Sequence, residues 1–567
     1  MVTKEQLQKK PFYLNEEQCE WVYSTLKELD TDEKLGQLFC ANIREGTMDE
    51  IKGIMDISPI GGVMYRPLEI EDAIQLTNYL QKTKVPMLIA ADLERGGNGI
   101  ANKGTKFASQ MEIAATGKVE YAKKLAEVCA KEGQALGANW AFAPVCDVDM
   151  NFRNPIMNVR TYGDDVDRVI EMSGAYVDKV QEMGMAASIK HFPGDGVDER
   201  DQHLLSSVNS LSTEEWDATY GKIYSTLIDQ GAMTVMVGHI LQPAYSKKLN
   251  PSLEDKDILP GTLSKELMTD LLRNQLEFNG LICTDASTMA GFTVPMERAK
   301  AVPTTIQAGA DMFLFSRNMR EDVGFMKKGY EDGIITEERL NDAVTRVLAL
   351  KAALKLNEQR HEYSAEEAAK VVGCSQHHEW AKQVAEDAVT LVKEEKGVLP
   401  LTPEKYPRIM YYPLEQAGKF GLATQAGICD KFKALLEKEG FEVTQFNPEN
   451  ASEGRVAPMS NFIGKYDAMI YLANIATKSN QTTVRIEWAS PLGANCPHFV
   501  TKIPTIFVSV ENPYHLLDAP RIRTFINAYS SNDEVLEAVV DKLTGRSEFK
   551  GTNPVDPFCG KWDTHLQ

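Results

Sequence analysis

The sequence predicts an α/β protein with a (β/α)8 barrel of the TIM type over residues 1–356, a linker over 357–377 and a smaller α/β sandwich over 378–567. Short apolar runs alternate with longer amphipathic runs from about residue 34 to 355, which is typical of parallel strands joined by helices. Seven or eight such units favour a closed barrel over an open sheet. A second, shorter series of the same kind follows the polar connector.

The predicted barrel strands are rich in Val, Ile and Met, as expected for parallel strands that are covered on both faces. They are IGGVMY (60–65), PMLIAADL (86–93), WAFAPVCDVD (140–149), MAASIKHF (185–192), TVMVGHI (234–240), GLICTDAS (280–287) and ADMFLFS (310–316). The charged stretches between and after them predict helices over 117–136, 164–183, 213–230, 264–279 and 336–355, with Ser264 as a candidate N-cap.

The second domain is predicted to be a smaller parallel sheet packed with helices. A helix over 378–394 precedes the strands RIMYYPL (408–414), FEVTQF (441–446), YDAMIYLA (466–473), TIFVSVEN (505–512) and TFINAYS (524–530). Further helices are predicted over 424–439 and 532–544. About 190 residues is an ordinary size for such a domain.

The composition excludes several classes of function. The 567 residues include 61 Lys and Arg and 81 Asp and Glu, which gives a net charge of −20. Such a chain repels phosphate backbones and anionic lipid, so no nucleic acid and no membrane are expected as partners. The nine cysteines show no metal-ligand spacing, which predicts reduced thiols and no metal or cofactor. The N-terminal residues lack the apolar run of a signal peptide, which favours a cytoplasmic location.

Polar side chains follow almost every predicted barrel strand. They are Asp92, Asp147 with Asp149, Lys190 with His191, His239, Asp285, and Ser316 with Arg317. Barrel enzymes build their sites at the carboxyl ends of the strands, so these side chains are expected to converge on one pocket. The alternative is that strand ends become polar because they meet solvent, but six strands together weaken that alternative.

The stretch KHFPGDGVDERDQH (190–203) carries the strongest signal. Pro193 and two glycines predict an irregular loop after the strand. Asp201 and His203 are two residues apart and can face the same way, and a carboxylate beside an imidazole fixes its tautomer for general acid catalysis. A solvated, charged surface loop is the alternative.

Two further strand ends carry candidate residues. Asp285 follows the apolar run of GLICTDASTMAGF (280–292), where it is either a helix N-cap or a nucleophile or electrostatic stabiliser. Asp92 precedes a glycine-rich loop that lacks a phosphate-binding pattern. In NVRTYGDD (158–165), Arg160 is a candidate to cap the site, with Tyr162 packing on it.

Taken together, KHFPG followed by a loop and D-x-H, TDAS-x-M (284–289), FAPVCDVD (142–149) and NVRTYGDD resemble glycoside hydrolase family 3. Within it the chain is similar to the bacterial β-N-acetylglucosaminidase (NagZ-type) branch. The motifs fall within residues 86–315. Residues 378–545, with EDAVTLVKEEKGVLPL and ENPYHL, resemble the second α/β domain that many members carry.

The resemblance implies a retaining, exo-acting glycoside hydrolase that removes terminal β-linked N-acetylglucosamine from a small carbohydrate substrate. Asp285 matches the catalytic nucleophile, His203 the general acid/base and Asp201 its orienting partner. The residues that match those holding the sugar are Asp92, Arg160, Lys190 and His191. Lys190 is also expected to keep Asp285 ionised.

The sequence departs from that branch at two places, which leaves the sugar open. It reads GDG where many members have GHG at the start of the loop, and TDAS where many have SDDL. A β-glucosidase or a phosphorylase with the same residues is therefore an alternative. A neutral His203 base, unlike a carboxylate, would not repel inorganic phosphate from the glycosyl-enzyme. Lys190 and Arg160 would attract phosphate.

Other interpretations account for fewer of these residues. A Schiff-base aldolase would use Lys190 but would need neither Asp285 nor the D-x-H loop. A non-catalytic sugar-binding protein would keep Asp92 and Arg160 without needing Asp285 or His203. His377 and His378 are expected to be exposed linker residues rather than a metal site. Arg485 and Trp488 are expected to serve packing rather than the site.

Overall fold

The computed structural model describes residues 2–358, 361–415, 427–447, 454, 456–477, 479–489 and 493–567. The chain divides into two compact units. The first unit comprises Met1–Phe107, Ala122–Asn154 and Val166–His377, and the second comprises Ala108–Tyr121, Pro155–Asp165 and His378–Gln567. Two short segments of the N-terminal half therefore group with the C-terminal residues.

The first unit is built on eight parallel strands, which confirms the predicted barrel. They are β1 (Phe39–Ile43), β2 (Gly62–Tyr65), β3 (Leu88–Ala91), β4 (Trp140–Ala141), β5 (Ala186–Phe192), β6 (Thr234–Val237), β7 (Leu281–Thr284) and β8 (Phe313–Leu314). They pair in the order β8-β1-β2-β3-β4-β5-β6-β7. A bridge between Cys283 and Met312 joins the two ends of this order, so the sheet closes on itself.

The sequence pattern identified seven of these strands and missed β1. Its sequence, FCANI, interrupts the apolar run with Ala and Asn, so it lacks the Val and Ile content of its neighbours. The strand is nevertheless buried except at Asn42. A short ladder outside the barrel pairs Ser207–Val208 with Ile240–Leu241.

Helices surround the strands of the first unit, and several begin with a side chain that accepts a backbone N–H of the first turn. Asn15, Asp30 and Ser212 each form a reciprocal capping box. The principal helices are Glu16–Glu28, Thr31–Gln37, Met48–Met55, Ile70–Leu80, Val119–Ala135, Val166–Glu182, Thr213–Trp216, Lys222–Gln230, Pro243–Leu249, Glu266–Gln275, Ala290–Thr293, Arg298–Ala308, Met319–Glu331, Glu337–Ala353 and Ala365–Val371. The next helix, Ser375–Ala388, begins in the first unit and continues into the residues of the second. Ser264 accepts the N–H of Leu267, as its predicted capping role requires.

The second unit contains a six-stranded mixed sheet rather than the predicted parallel one. Its strands are β9 (Thr390–Lys393), β10 (Arg408–Glu415), β11 (Glu442–Gln445), β12 (Ala468–Asn474), β13 (Thr505–Val510) and β14 (Thr524–Asn527), in the order β9-β14-β13-β12-β10-β11. Only β9, within this described sheet, is antiparallel to its neighbour. The predicted helix over 378–394 was wrong at its end, because the chain leaves the helix at Ala388 and continues as β9.

Helices Ile428–Lys438 and Asp533–Leu543 confirm the other two helix predictions of this unit, while residues 424–426 of the first lie outside the described residues. One face of the sheet carries an aromatic ladder, formed by Tyr412, Tyr471, Phe507 and Phe525. These residues are register partners on β10, β12, β13 and β14. Successive ring centroids are 4.5, 5.6 and 5.1 Å apart, with interplanar angles of 8°, 11° and 7°. The ladder therefore fixes the register of four strands.

In the part of the chain that the structure describes, no helix combines the length and the apolarity needed to cross a bilayer. The nine cysteines, all within the described ranges, are thiols rather than disulfides.

Candidate active site

The predicted strand-end residues of the first unit lie at the carboxyl ends of neighbouring strands. Asp92 follows β3, Lys190 and His191 lie near the end of β5, and Asp285 follows β7 directly. Lys190, His191 and Asp285 are 2%, 4% and 7% exposed. The carboxyl ends of parallel strands meet at one end of a barrel, so these buried side chains form one site.

Asp285 is held as a carboxylate by its neighbours. Its Oδ1 accepts the N–H of Ala286 at 2.7 Å. Burial opposes ionisation, but electrostatic interaction with the His191, His239 and His203 imidazoles and the Ala286 N–H outweigh it and lower the pKa of the carboxyl. The N-cap alternative for Asp285 was wrong, because the next helix begins at Ala290 with Met289 as its N-cap.

His203 and Asp201 form a close pair on the loop after β5. The Nδ1 of His203 lies 2.6 Å from Oδ1 of Asp201, and the same oxygen accepts the His203 backbone N–H at 2.8 Å. A carboxylate only accepts, so Nδ1 carries the proton and Nε2 is the atom that can exchange one. Asp201 is 2% exposed, which contradicts the alternative of a fully solvated loop.

The loop turns on two glycines and is tied to the strand ends. Gly194 and Gly196 have φ of +119° and +99°, and a Cβ on Gly196 would lie 2.0 Å from the Val148 carbonyl oxygen. The backbone N–H groups of Ala290 and Gly291 donate to the carbonyls of His203 and Gln202, both at 3.0 Å. These contacts therefore hold in place the main chain that carries Asp201 and His203.

A second His–Asp pair lies deeper in the barrel. The Nδ1 of His191 is 2.7 Å from Oδ2 of Asp147, which also accepts the His191 backbone N–H at 3.2 Å. Both side chains are buried. Sequence reasoning placed Asp147 at a strand end but did not assign it this role; the D-V-D motif after β4 was the available signal.

Lys190 is neutralised by carboxylates other than Asp285. Its Nζ lies 2.6 Å from Glu94 and 3.5 Å from Asp92. Asp92 also pairs with Arg66 at 3.2 Å. Electrostatic interaction with histidines, rather than with the predicted Lys190, is the leading effect that lowers the pKa of Asp285. Sequence reasoning missed Glu94 and Arg66, although Glu94 stands two residues after Asp92.

His239 is a neutral, buried ring. Burial lowers its pKa to about 4. Its Nε2 lies 2.9 Å from the Ala286 carbonyl oxygen, which only accepts, so Nε2 carries the proton and Nδ1 accepts from the Thr262 hydroxyl at 2.8 Å. His239 therefore positions the backbone next to Asp285 without titrating near neutral pH.

The remaining candidates belong to other segments of the chain. Arg160 ends the turn Asn158–Arg160 in the second unit, and its contact with a sugar stays a prediction. His377 is 2% exposed and pairs with Glu132 at 2.6 Å, so its prediction as an exposed residue was wrong. Half-exposed His378 pairs with Glu534. Arg485 pairs with Asp518, and Trp488 packs against the core of the second unit. Among the described residues, no group of three or more His, Cys, Asp or Glu could hold a metal.

Residues 30–350 match the family described as the Glycosyl hydrolase family 3 N terminal domain. A Beta-N-acetylglucosaminidase/beta-glucosidase of Cellulomonas fimi is 49% identical over 98% of this chain and 99% of its own. The structure of Beta-glucoside phosphorylase BglX has 45% identity and a TM-score of 0.94, covering 100% of both chains. A β-N-acetylglucosaminidase structure from Paenibacillus sp. str. FPU-7 has 25% identity and a TM-score of 0.77, covering 93% of this chain and 99% of its own.

Proposed function

The chain belongs to glycoside hydrolase family 3 and is a glycosidase, and from this premise we propose that it cleaves terminal β-glucosyl or β-N-acetylglucosaminyl groups with retention of configuration. The observation that carries the proposal is a buried, ionised Asp285 beside a histidine whose tautomer Asp201 fixes. A carboxylate nucleophile and a separate proton donor are the two groups that a retaining mechanism needs.

In the first step, a carboxylate oxygen of Asp285 attacks the anomeric carbon while the bond to the leaving oxygen breaks. His203 gives its Nε2 proton to that oxygen, so the leaving group departs as an alcohol and a glycosyl-aspartate remains. Asp201 stabilises the imidazolium before the transfer and holds Nδ1–H throughout. Asp92 and Lys190 lie at the same end of the barrel, where they are proposed to accept from and donate to sugar hydroxyls.

In the second step, His203 is a neutral base that takes a proton from the acceptor. We propose inorganic phosphate as the preferred acceptor: one of its oxygens bonds to the anomeric carbon while the bond to Asp285 breaks, which frees the Asp285 carboxylate and gives a sugar 1-phosphate. A carboxylate in place of His203 would at this stage be an anion, and two unit charges 4 Å apart repel by about 4 kcal/mol at an effective dielectric of 20. The histidine removes this repulsion. The similarity to a protein named as a β-glucoside phosphorylase supports the same acceptor.

Hydrolysis is the second candidate, with water as the acceptor. It is favoured by the similarity to the Cellulomonas fimi protein, whose name describes a glycosidase, and by the carboxylates around the site, which repel an anionic acceptor. Both candidates use the same first step, so only the second step separates them.

The test follows the products of an aryl β-glucoside and an aryl β-N-acetylglucosaminide with and without millimolar phosphate, using phosphorus NMR. Potassium sulfate at equal ionic strength is the control for salt. We expect sugar 1-phosphate as the main product with phosphate present. A turnover rate indifferent to phosphate, with unphosphorylated sugar as the product, would select hydrolysis. Asp285→Ala should abolish both reactions, and a 2-fluoro glycoside should label Asp285 in the unmodified protein.

A further inference from the structure

Asp195 lies between the two His–Asp pairs of the site. It is 2% exposed, and its backbone N–H donates to Oδ1 of Asp147 at 2.8 Å. Its own Oδ1 accepts the Gly196 N–H at 2.7 Å and Nδ2 of Asn154 at 3.1 Å. Its Oδ2 faces Nε2 of Gln202 at 3.5 Å. The mechanism proposed above gives this buried carboxyl no role.

Gln202 lies between Asp201 and His203 in the sequence, and both the oxygen and the nitrogen of its side-chain amide have hydrogen-bond partners. Its Oε1 accepts the backbone N–H of His239 at 2.7 Å, and its Nε2 faces Asp195. Its backbone carbonyl accepts the Gly291 N–H at 3.0 Å. Since Oε1 must accept, the amide cannot rotate without losing the bond to His239, so Nε2 is committed to Asp195.

We propose that Asp195 is a positioning residue for the general acid/base: as an anion it holds Gln202, and through Gln202 it fixes the main chain that carries Asp201 and His203. The inference rests on the proposed function of that pair. The charged and titratable groups that face Asp195 are Asp147 after β4, His191 at the end of β5 and the Tyr220 hydroxyl, which donates to the Asp195 carbonyl.

The titration of Asp195 sets the pH range in which it can play this role. Burial and the charge of Asp147 raise its pKa to about 6, while His191 opposes the shift. The folded protein therefore binds a proton that the unfolded chain, with an ordinary carboxyl, has released. Stability from this group is present at low pH and is lost as pH rises through about 6. The folded protein is therefore less stable when Asp195 is ionised, which is the state that positions Gln202.

The experiment compares Asp195→Asn with the unmodified protein. The Asn oxygen can still accept from Gly196 and Asn154, but its amide N–H groups face the donor of Gln202. We expect kcat for an alkyl glycoside to fall about 10- to 100-fold at pH 7.5, with KM changed less than threefold. The first step with a dinitrophenyl glycoside should change little, because that leaving group needs no proton. The melting temperature at pH 7.5 should be unchanged or higher.

The expected kinetics and melting temperature of Asp195→Asn distinguish a positioning role from a general structural role. A residue that only stabilises the fold would lower the melting temperature and the rates with both leaving groups, and that result would overturn the proposal, as would a kcat equal to that of the unmodified protein. Gln202→Glu serves as the second variant, because it keeps the bond to His239 and sets a carboxylate against Asp195. The loss of kcat caused by Gln202→Glu should not add to the loss caused by Asp195→Asn in the double variant. If the unmodified protein cleaves no glycoside, the proposed function fails instead.

Discussion

The two His–Asp pairs of the barrel have nearly the same internal geometry but different exposure. The ring-to-carboxylate distances are 2.6 Å for His203 and 2.7 Å for His191. The side chain of His203 is 17% exposed, and that of His191 is 5% exposed. Proton exchange with a substrate needs an accessible nitrogen, so His203 suits acid/base chemistry, whereas His191 suits a fixed hydrogen bond.

His203→Ala is expected to lower kcat/KM roughly 10²–10⁴-fold for substrates with poor leaving groups, the usual contribution of general acid catalysis. The loss in the first step should shrink for dinitrophenyl glycosides, and azide should speed breakdown of the intermediate because it needs no base. Steady-state and burst kinetics across a leaving-group series measure this.

His378→Ala is the matched control, since His378 also pairs with a carboxylate at 2.6 Å but lies in the second unit, and we expect its kinetics to be unchanged. An equal loss for good and poor leaving groups in His203→Ala would assign that residue a structural role.

At the residue scale, the sequence predicted which strand ends carry charge but not how the charges pair. The D-x-H spacing was enough to pair Asp201 with His203, because both lie on one short loop. Glu94 could not be assigned to Lys190 from the sequence, since the two are far apart in the chain and meet only when β3 and β5 enter the same barrel. The burial of His377 depends likewise on Glu132, a distant residue.

At the scale of elements, long amphipathic helices and strands set in a continuous apolar run were predictable, and the two strands without such a run were not. β1 lacks a continuous apolar run, and β9 has only four residues directly after a helix. Neither sequence shows a pattern that marks it as a strand, and each forms a strand because a neighbouring strand pairs with it.

β9 contributes a buried lysine that holds the C-terminal segment. Lys393 is 5% exposed, and its Nζ donates to the carbonyls of Pro520, Thr564 and Leu566 at 3.2, 3.0 and 2.6 Å. An ammonium group has three protons, so these three bonds use all of them.

Lys393→Met is expected to destabilise the second unit by about 1–3 kcal/mol, because it leaves buried carbonyls without donors. Residues after 556 should then become sensitive to limited proteolysis, read by mass spectrometry. Lys396→Met, at an exposed position three residues on, is the control. Unchanged proteolysis in Lys393→Met would show that the segment is held by its apolar contacts instead.

At the scale of the whole molecule, each unit encloses one histidine that burial keeps neutral. Burial lowers the pKa of His239 in the barrel and of His515 in the second unit to about 4. His515 bonds to the Ser509 hydroxyl at 2.9 Å through Nδ1. Between pH 6.5 and 4 these two histidines bind protons in the unfolded chain but stay neutral in the folded protein. The free energy of unfolding therefore falls as the pH falls through this range.

Each ring should cost about 2 kcal/mol of stability between pH 7 and pH 5, from 1.36 kcal/mol per pKa unit. His515→Gln should flatten the acid dependence of unfolding of the second unit, whereas His361→Gln, at an exposed position, should not. Thermal unfolding followed from pH 7 to pH 4.5 measures the difference. An unchanged slope for His515→Gln would place the acid sensitivity on carboxylates.

The aromatic ladder of the second unit gives this region an optical signature. Tyr412 and Tyr471 lie parallel, with centroids 4.5 Å apart and planes within 8°. Two phenol transitions held at this distance couple as excitons, so near-ultraviolet circular dichroism should contain a tyrosine couplet that depends on the alignment of β10 and β12. A slip of one residue between these strands would turn one ring to the opposite face and remove the couplet. Loss of the couplet during thermal unfolding would therefore report the unfolding of this sheet separately from that of the barrel.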